Sequence, residues 1–117
     1  VEDEKKILKM FDRALRSAGY EVTALSSPLE ALKKLKERSF DVVVTDYSMP
    51  GMNGGQLAAQ IRKMGLKCRI IMITGLVEDQ VIEYYRSHLI HVLLVKPLEV
   101  QTLIDAIEKE EQPLKFE

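Results

Sequence analysis

A run of β-branched apolar residues, Val42-Val43-Val44, follows Phe40-Asp41 and closes on Thr45-Asp46. It carries no polar alternation, so it suits a strand covered on both faces, as in a parallel sheet. Two further apolar runs follow, the first of the same character. Arg69-Ile70-Ile71-Met72-Ile73 ends at Thr74-Gly75, and Ile90 to Val95 ends at Lys96-Pro97. Tyr20 to Leu25 reads as another strand.

Helical spacings separate these runs. From Lys5 the apolar positions Ile7, Leu8, Phe11, Leu15 and Ala18 recur every three to four residues until Gly19 stops them. Ser27-Pro28-Leu29-Glu30 predicts a helix start, with Ser27 as N-cap, Pro28 at the first position and Glu30 closing a capping box. Ala31, Leu32 and Leu35 would line its inner face. A third helix is expected from about Asn53 to Met64, broken by Gly65, with Leu57, Ala58 and Ile61 inward. A fourth runs roughly from Glu78 to His88 with Val81, Ile82 and Tyr85 inward. A last one, from about Glu99 to Glu110, buries Leu103, Ile104 and Ile107. Strands alternating with helices imply right-handed crossovers and an α/β fold, a doubly wound parallel sheet covered on both faces. The pattern opens on a helix, so most of the first strand is expected to be missing ahead of Val1.

At 117 residues the chain is long enough for a single core. We expect one domain over residues 1–112 and a charged tail over 113–117. The 17 basic and 18 acidic residues nearly cancel, and no basic stretch marks a nucleic-acid footprint, so direct nucleic-acid binding is not expected. The sole cysteine, Cys68, can form no internal disulfide and reads as a small core residue in a reducing compartment. No apolar run is long enough to span a bilayer and no signal peptide is visible, which points to the cytoplasm and to no membrane contact by this domain.

Polar residues collect where strands end: Glu2 and Asp3, Asp46, Thr74, and Lys96-Pro97. In an open α/β sheet the crevice beyond the carboxyl ends of the strands is where chemistry sits. An Asp closing a strand is commonly a turn former or helix cap, but these residue types together suit phosphoryl transfer to a carboxylate. Asp46 would be the nucleophile. Glu2 and Asp3 beside it could hold Mg2+. Lys96 could pair with a phosphate oxygen as a point charge, and the Thr74 hydroxyl could donate to another. Two carboxylates about 4 Å apart repel by roughly 4 kcal/mol at an effective dielectric near 20. A cluster of three therefore calls for a cation.

The order and spacing of Val1-Glu2-Asp3-Glu4, Asp46 followed by Met49-Pro50-Gly51-Met52-Asn53-Gly54, Thr74-Gly75 and Lys96-Pro97 closely resemble the receiver domain of two-component response regulators. The resemblance covers nearly the whole chain. It implies a flavodoxin-like five-stranded sheet of order 2-1-3-4-5. It also implies that Asp46 accepts a phosphoryl group from a histidine kinase or phosphotransfer domain, with Mg2+ held by Glu2, Asp3, Asp46 and the Ser48 backbone carbonyl. Lys96 would contact the phosphate and precede a cis bond to Pro97, and Thr74 would be a switch hydroxyl moving toward the phosphate. Such a domain is a signalling module that acts on an output domain or partner protein, and not a metabolic enzyme. Its signalling surface would be the helix from Glu78, the strand to Val95 and the last helix.

Four features depart from the family pattern, the mildest being Glu2, which stands where aspartate is more frequent and keeps the charge. Leu93 replaces an aromatic residue three positions before the lysine. Ser87-His88-Leu89-Ile90-His91-Val92 lacks the usual Gly-Ala turn. Gly55 stands where leucine is common. A second reading is therefore a pseudo-receiver that binds proteins without phosphorylation. A flavodoxin-like cofactor binder is disfavoured because no phosphate-cradling glycine loop follows the opening strand. His88 and His91 have no metal-ligand spacing to acids or cysteine, and Tyr84-Tyr85 reads as core plus rim, with Tyr84 a candidate partner contact.

Overall fold

The computed structural model describes residues 1–109. Its elements are α1 (Lys5–Ser17), α2 (Pro28–Glu37), β1 (Val42–Asp46), α3 (Gly54–Lys63), β2 (Arg69–Thr74), α4 (Asp79–Arg86), β3 (Val92–Val95) and α5 (Val100–Glu108). The three strands are parallel in the order β1-β2-β3. Asp46 lies opposite Ile73 and Thr74 opposite Val95, so the three strands end close together.

The unalternating strand β2 sits at the centre, and every residue from Ile70 to Thr74 is buried. Its side chains divide by parity, as a pleated strand requires. Ile70 and Met72 pack with Ala31 and Leu35 of α2, Leu57, Ala58 and Ile61 of α3, and Val81 of α4. Ile71 and Ile73 pack with Leu15 of α1 and with Leu103 and Ala106 of α5. Three helices thus cover one face and two the other. Each fully buried Leu or Ile side chain favours the fold by roughly 1.5–3 kcal/mol, so β2 is the strand that anchors both layers.

Helix ends follow the sequence at α1 and α3, where Gly19 (φ 98°) and Gly65 (φ 80°) adopt left-handed backbone. The Gly19 N–H donates to Arg16 O and the Tyr20 N–H to Leu15 O, the paired bonds of a Schellman cap. Helix α4 closes the same way without glycine. His88 takes φ 63°, its N–H donates to Tyr85 O at 3.0 Å, and the Leu89 N–H donates to Tyr84 O at 3.2 Å.

Three expectations are corrected. The sheet has three hydrogen-bonded strands among the described residues, and Tyr20 to Leu25 is not one of them. A strand needs a ladder partner along its length, whereas here only Leu25 finds one: the Glu2 N–H donates to Leu25 O at 3.1 Å. Val1 faces the other way, its backbone nitrogen donating to Val44 O at 2.6 Å and its carbonyl accepting from the Asp46 N–H at 3.0 Å. Val1 and Glu2 therefore bridge the 20–25 segment to β1 at one end. Further along, a cavity of about 530 Å³ lined by Leu15, Val22, Val42, Val44 and Leu103 separates the two.

The capping box is also elsewhere. Ser27 has capping backbone angles and Pro28 follows at the first helical position, but the Ser27 side chain makes no cap bond. The box forms at α3, where Asn53 Oδ1 accepts from the Gln56 N–H at 2.8 Å and Gln56 Oε1 accepts from the Asn53 N–H at 2.9 Å. Cys68 is half-buried, not fully so, and burial pushes its thiol pKa up. The expected tail over 113–117 lies outside the described residues.

Candidate functional site

Asp46 is the last residue of β1, and its side chain is 8% exposed. Backbone bonds hold the turn that follows: the Tyr47 N–H donates to Ile73 O at 2.8 Å and the Gly54 N–H to Tyr47 O at 2.7 Å. Glycine is favoured at position 54, since a Cβ there would overlap the Asp46 carbonyl oxygen unless the backbone shifts. The loop from Tyr47 to Asn53 thus closes tightly over the strand end and leaves the carboxylate facing the crevice.

Glu2 and Asp3 reach the same place from the start of the chain. One carboxylate oxygen from each of Glu2, Asp3 and Asp46 lies within 4.8 Å of the others. Glu2 is buried, and its Oε1 has no hydrogen-bond partner. Its carboxyl is pushed up to about 7, first by burial and then by the neighbouring Asp46 charge and hydrogen bond. A buried acid with one oxygen unpartnered beside two more acids is a poor arrangement for stability alone. It suits a divalent cation, which would supply the missing partner for Oε1 and neutralise the cluster.

Lys96 approaches from the far side of β2. Its Nζ lies 3.1 Å from Asp46 Oδ1, and its N–H donates to Thr74 O at 2.8 Å. Partial burial would lower the lysine pKa, but the hydrogen bond and charge of Asp46 outweigh it and the net shift is upward. The Lys96-Pro97 peptide bond is cis.

Thr74 ends β2 and is buried. Its hydroxyl is committed to the following turn, donating to Leu76 O at 2.9 Å and accepting from the Leu76 N–H at 3.3 Å. Ser48 is exposed, two residues past Asp46 in the same loop, and Leu93 is half-buried in β3. Glu2, Asp3, Asp46 and Lys96 therefore converge, whereas the Thr74 hydroxyl points into its own turn. His91 is tied to the sheet, its Nδ1 accepting from the Ile70 N–H at 3.0 Å. Sequence reasoning missed the packing of Tyr84, whose ring fills the space that a Cβ at Gly55 would need. The glycine at a leucine position was the only signal of it.

The arrangement presents one carboxylate flanked by an ammonium group and two further acids at the carboxyl ends of parallel strands. A model of the response regulator receiver domain matches residues 1–108. The chain belongs to this family. Among relatives, the response regulator receiver protein CpdR of Brucella abortus is 30% identical over 108 residues, covering 92% of this chain and 90% of CpdR. The response regulator protein FleR of Pseudomonas aeruginosa is 31% identical over 110 residues, which is 93% of this receiver domain but only 23% of FleR. Among solved structures, the response regulator TrrA of Thermotoga maritima, in complex with Mg2+ and beryllium fluoride, superposes with a TM-score of 0.79 at 28% identity, covering 92% of this chain and 91% of TrrA. Among the described residues of this receiver domain, no helix is long and apolar enough to cross a membrane.

Proposed function

We propose that this receiver domain takes a phosphoryl group on Asp46 in a Mg2+-dependent reaction and relays that state to a partner. The single observation that carries the reading is the convergence on Asp46 of the Lys96 ammonium at 3.1 Å and the Glu2 and Asp3 carboxylates within 4.8 Å. An Asp46 carboxylate oxygen attacks the phosphorus of a phosphohistidine or small acyl phosphate. The new O–P bond forms as the bond to the donor breaks, and the donor leaves with that electron pair. Negative charge on the phosphoryl oxygens is met by Lys96, already aimed at the carboxylate.

Glu2, Asp3 and Asp46 would hold Mg2+, with the Ser48 carbonyl as a further ligand. The ion supplies charge neutralisation at the phosphoryl oxygens. The TrrA complex with Mg2+ and beryllium fluoride supports this for a relative of the same fold. Thr74 can serve a phosphoryl oxygen only by leaving its turn with Leu76. Such a change would move Leu76 and Val77, two exposed apolar residues ahead of α4. The surface of α4, β3 and α5 is then the natural reporter of the phosphorylated state. The donor is a histidine kinase or phosphotransfer domain, and the readout is an output domain or partner protein. The domain itself acts as a signalling module in the cytoplasm.

The test is uptake of phosphate from a small acyl phosphate with and without Mg2+, read as intact mass. The expected result is one added phosphoryl group with Mg2+ and none with Asp46→Asn. Lack of uptake by the unaltered protein in the presence of Mg2+ would leave a phosphorylation-independent binding scaffold as the function.

A further inference from the structure

Tyr47, the residue immediately after Asp46, and Tyr84 of α4 face each other with ring centroids 6.3 Å apart and planes at 51°. The separation is that of a direct aromatic contact. Gly55, in the first turn of α3, is the floor of the contact: a Cβ there would overlap the Tyr84 ring. The ring of one α4 residue is thus wedged between the residue following the acceptor and the helix that follows the acceptor loop. Burial, with Tyr84 and the α4 N-cap residue Glu78 nearby, pushes the Tyr47 phenol pKa up.

The other end of Tyr84 is equally committed. Its carbonyl accepts from the Leu89 N–H at 3.2 Å and the Ile90 N–H at 3.4 Å. It also accepts from the Ser87 hydroxyl at 3.2 Å. These bonds close α4 and set the turn into β3. Tyr84 therefore touches the acceptor loop with its ring and holds the α4–β3 turn with its backbone. Leu93 in β3 offers no ring for such a contact.

Resting on the acceptor role of Asp46, we infer that Tyr84 is a positioning residue that couples the acceptor loop to α4 through its contact with Tyr47 over Gly55. A change at Asp46 that shifts the backbone of Tyr47 must either carry Tyr84 with it or break the ring contact. Either way the two arrangements of α4 differ in free energy, which is the requirement for a population shift. Packed contacts of this kind hold discrete positions and do not deform smoothly.

The experiment follows backbone amide resonances of the full chain as beryllium fluoride and Mg2+ are added, using unaltered protein, Tyr84→Phe, Tyr84→Leu and Tyr47→Leu. In the unaltered protein the amides around Asp46 and those of α4 both shift, and Tyr84→Phe, which keeps the ring, behaves the same. In Tyr84→Leu the amides around Asp46 still shift at similar beryllium fluoride concentrations, while the α4 shifts fall at least threefold. Tyr47→Leu gives the same loss from the opposite side with the α4–β3 turn untouched, and it stands in for Tyr84→Leu if that variant does not fold. Undiminished α4 shifts in the leucine variants overturn the coupling and leave the acceptor role standing. No shift anywhere in the unaltered protein overturns the acceptor role, and the coupling with it.

Discussion

Lys96 and Asp46, fifty positions apart in sequence, meet across the central strand with Nζ 3.1 Å from Oδ1. Their side chains are unequally exposed, 33% for the lysine and 8% for the aspartate. The anion is held in the protein while the cation keeps one side to solvent. A charge-assisted bond of this kind orients the carboxylate, and under the proposed function its solvent-facing partner would meet the charge of an incoming phosphoryl group.

Replacing Lys96 by Ala is expected to leave the fold intact and slow phosphoryl uptake. Loss of one preorganised donor to a developing oxyanion typically costs about 10²–10³ in rate. Uptake from a small acyl phosphate, timed by intact mass, reads this directly. A rate within threefold of the unaltered protein would remove Lys96 from the chemistry.

Glu2 gives the metal-free protein a pH dependence whose sign follows from its carboxyl, raised to about 7 in the fold from an ordinary 4.5. Below about 4.5 the group is protonated whether folded or unfolded, and it carries no penalty. As pH rises from 4.5 toward 7 the unfolded chain releases this proton more readily than the folded one, so stability falls and then levels off above 7. The urea midpoint of the unaltered protein, compared with Glu2→Gln, should show this loss across that window. Adding Mg2+ should reverse it by binding the folded state. A difference between the two proteins that is flat with pH would show that Glu2 is not held protonated.

Gly54→Ala should destabilise the domain by roughly 1–3 kcal/mol, the usual cost of overpacking, because the new methyl group meets the rigid Asp46 carbonyl oxygen. Chemical denaturation measures it. A value near zero would mean that the 47–53 loop can yield.

His88→Gly should act in the opposite direction. The exposed histidine occupies left-handed backbone at φ 63°, which costs an L-residue about 1–2 kcal/mol. Glycine recovers part of that while adding freedom to the unfolded chain, so a net gain of about 0.5–1 kcal/mol is expected. The thermal midpoint should rise by a few degrees.

Most of the fold was legible in local patterns. Unalternating apolar runs marked β1 and β2, because a strand covered on both faces has no polar positions. Helical spacing marked α1 to α5, and glycines marked the ends of α1 and α3. Asp46, its Pro-Gly loop and Lys96-Pro97 pointed to the site because each lies where a strand stops. Sequence spacing could not show whether Tyr20 to Leu25 finds a ladder partner, since strand pairing is a property of neighbours in space. Nor could it show that the Ser27 side chain leaves its cap unmade while Asn53 and Gln56 close a box at α3, since that depends on where the side chains settle.

By itself, then, the chain's order of residues determined the layered α/β architecture and the family, because periodicity and motif spacing are local quantities. Only the tertiary structure decided which groups meet. It brought Lys96 onto Asp46, buried Glu2 Oε1 without a partner and set the Tyr84 ring on Gly55. Those contacts join distant parts of the chain, and their energies depend on burial and distance, which exist only once the strands are laid side by side.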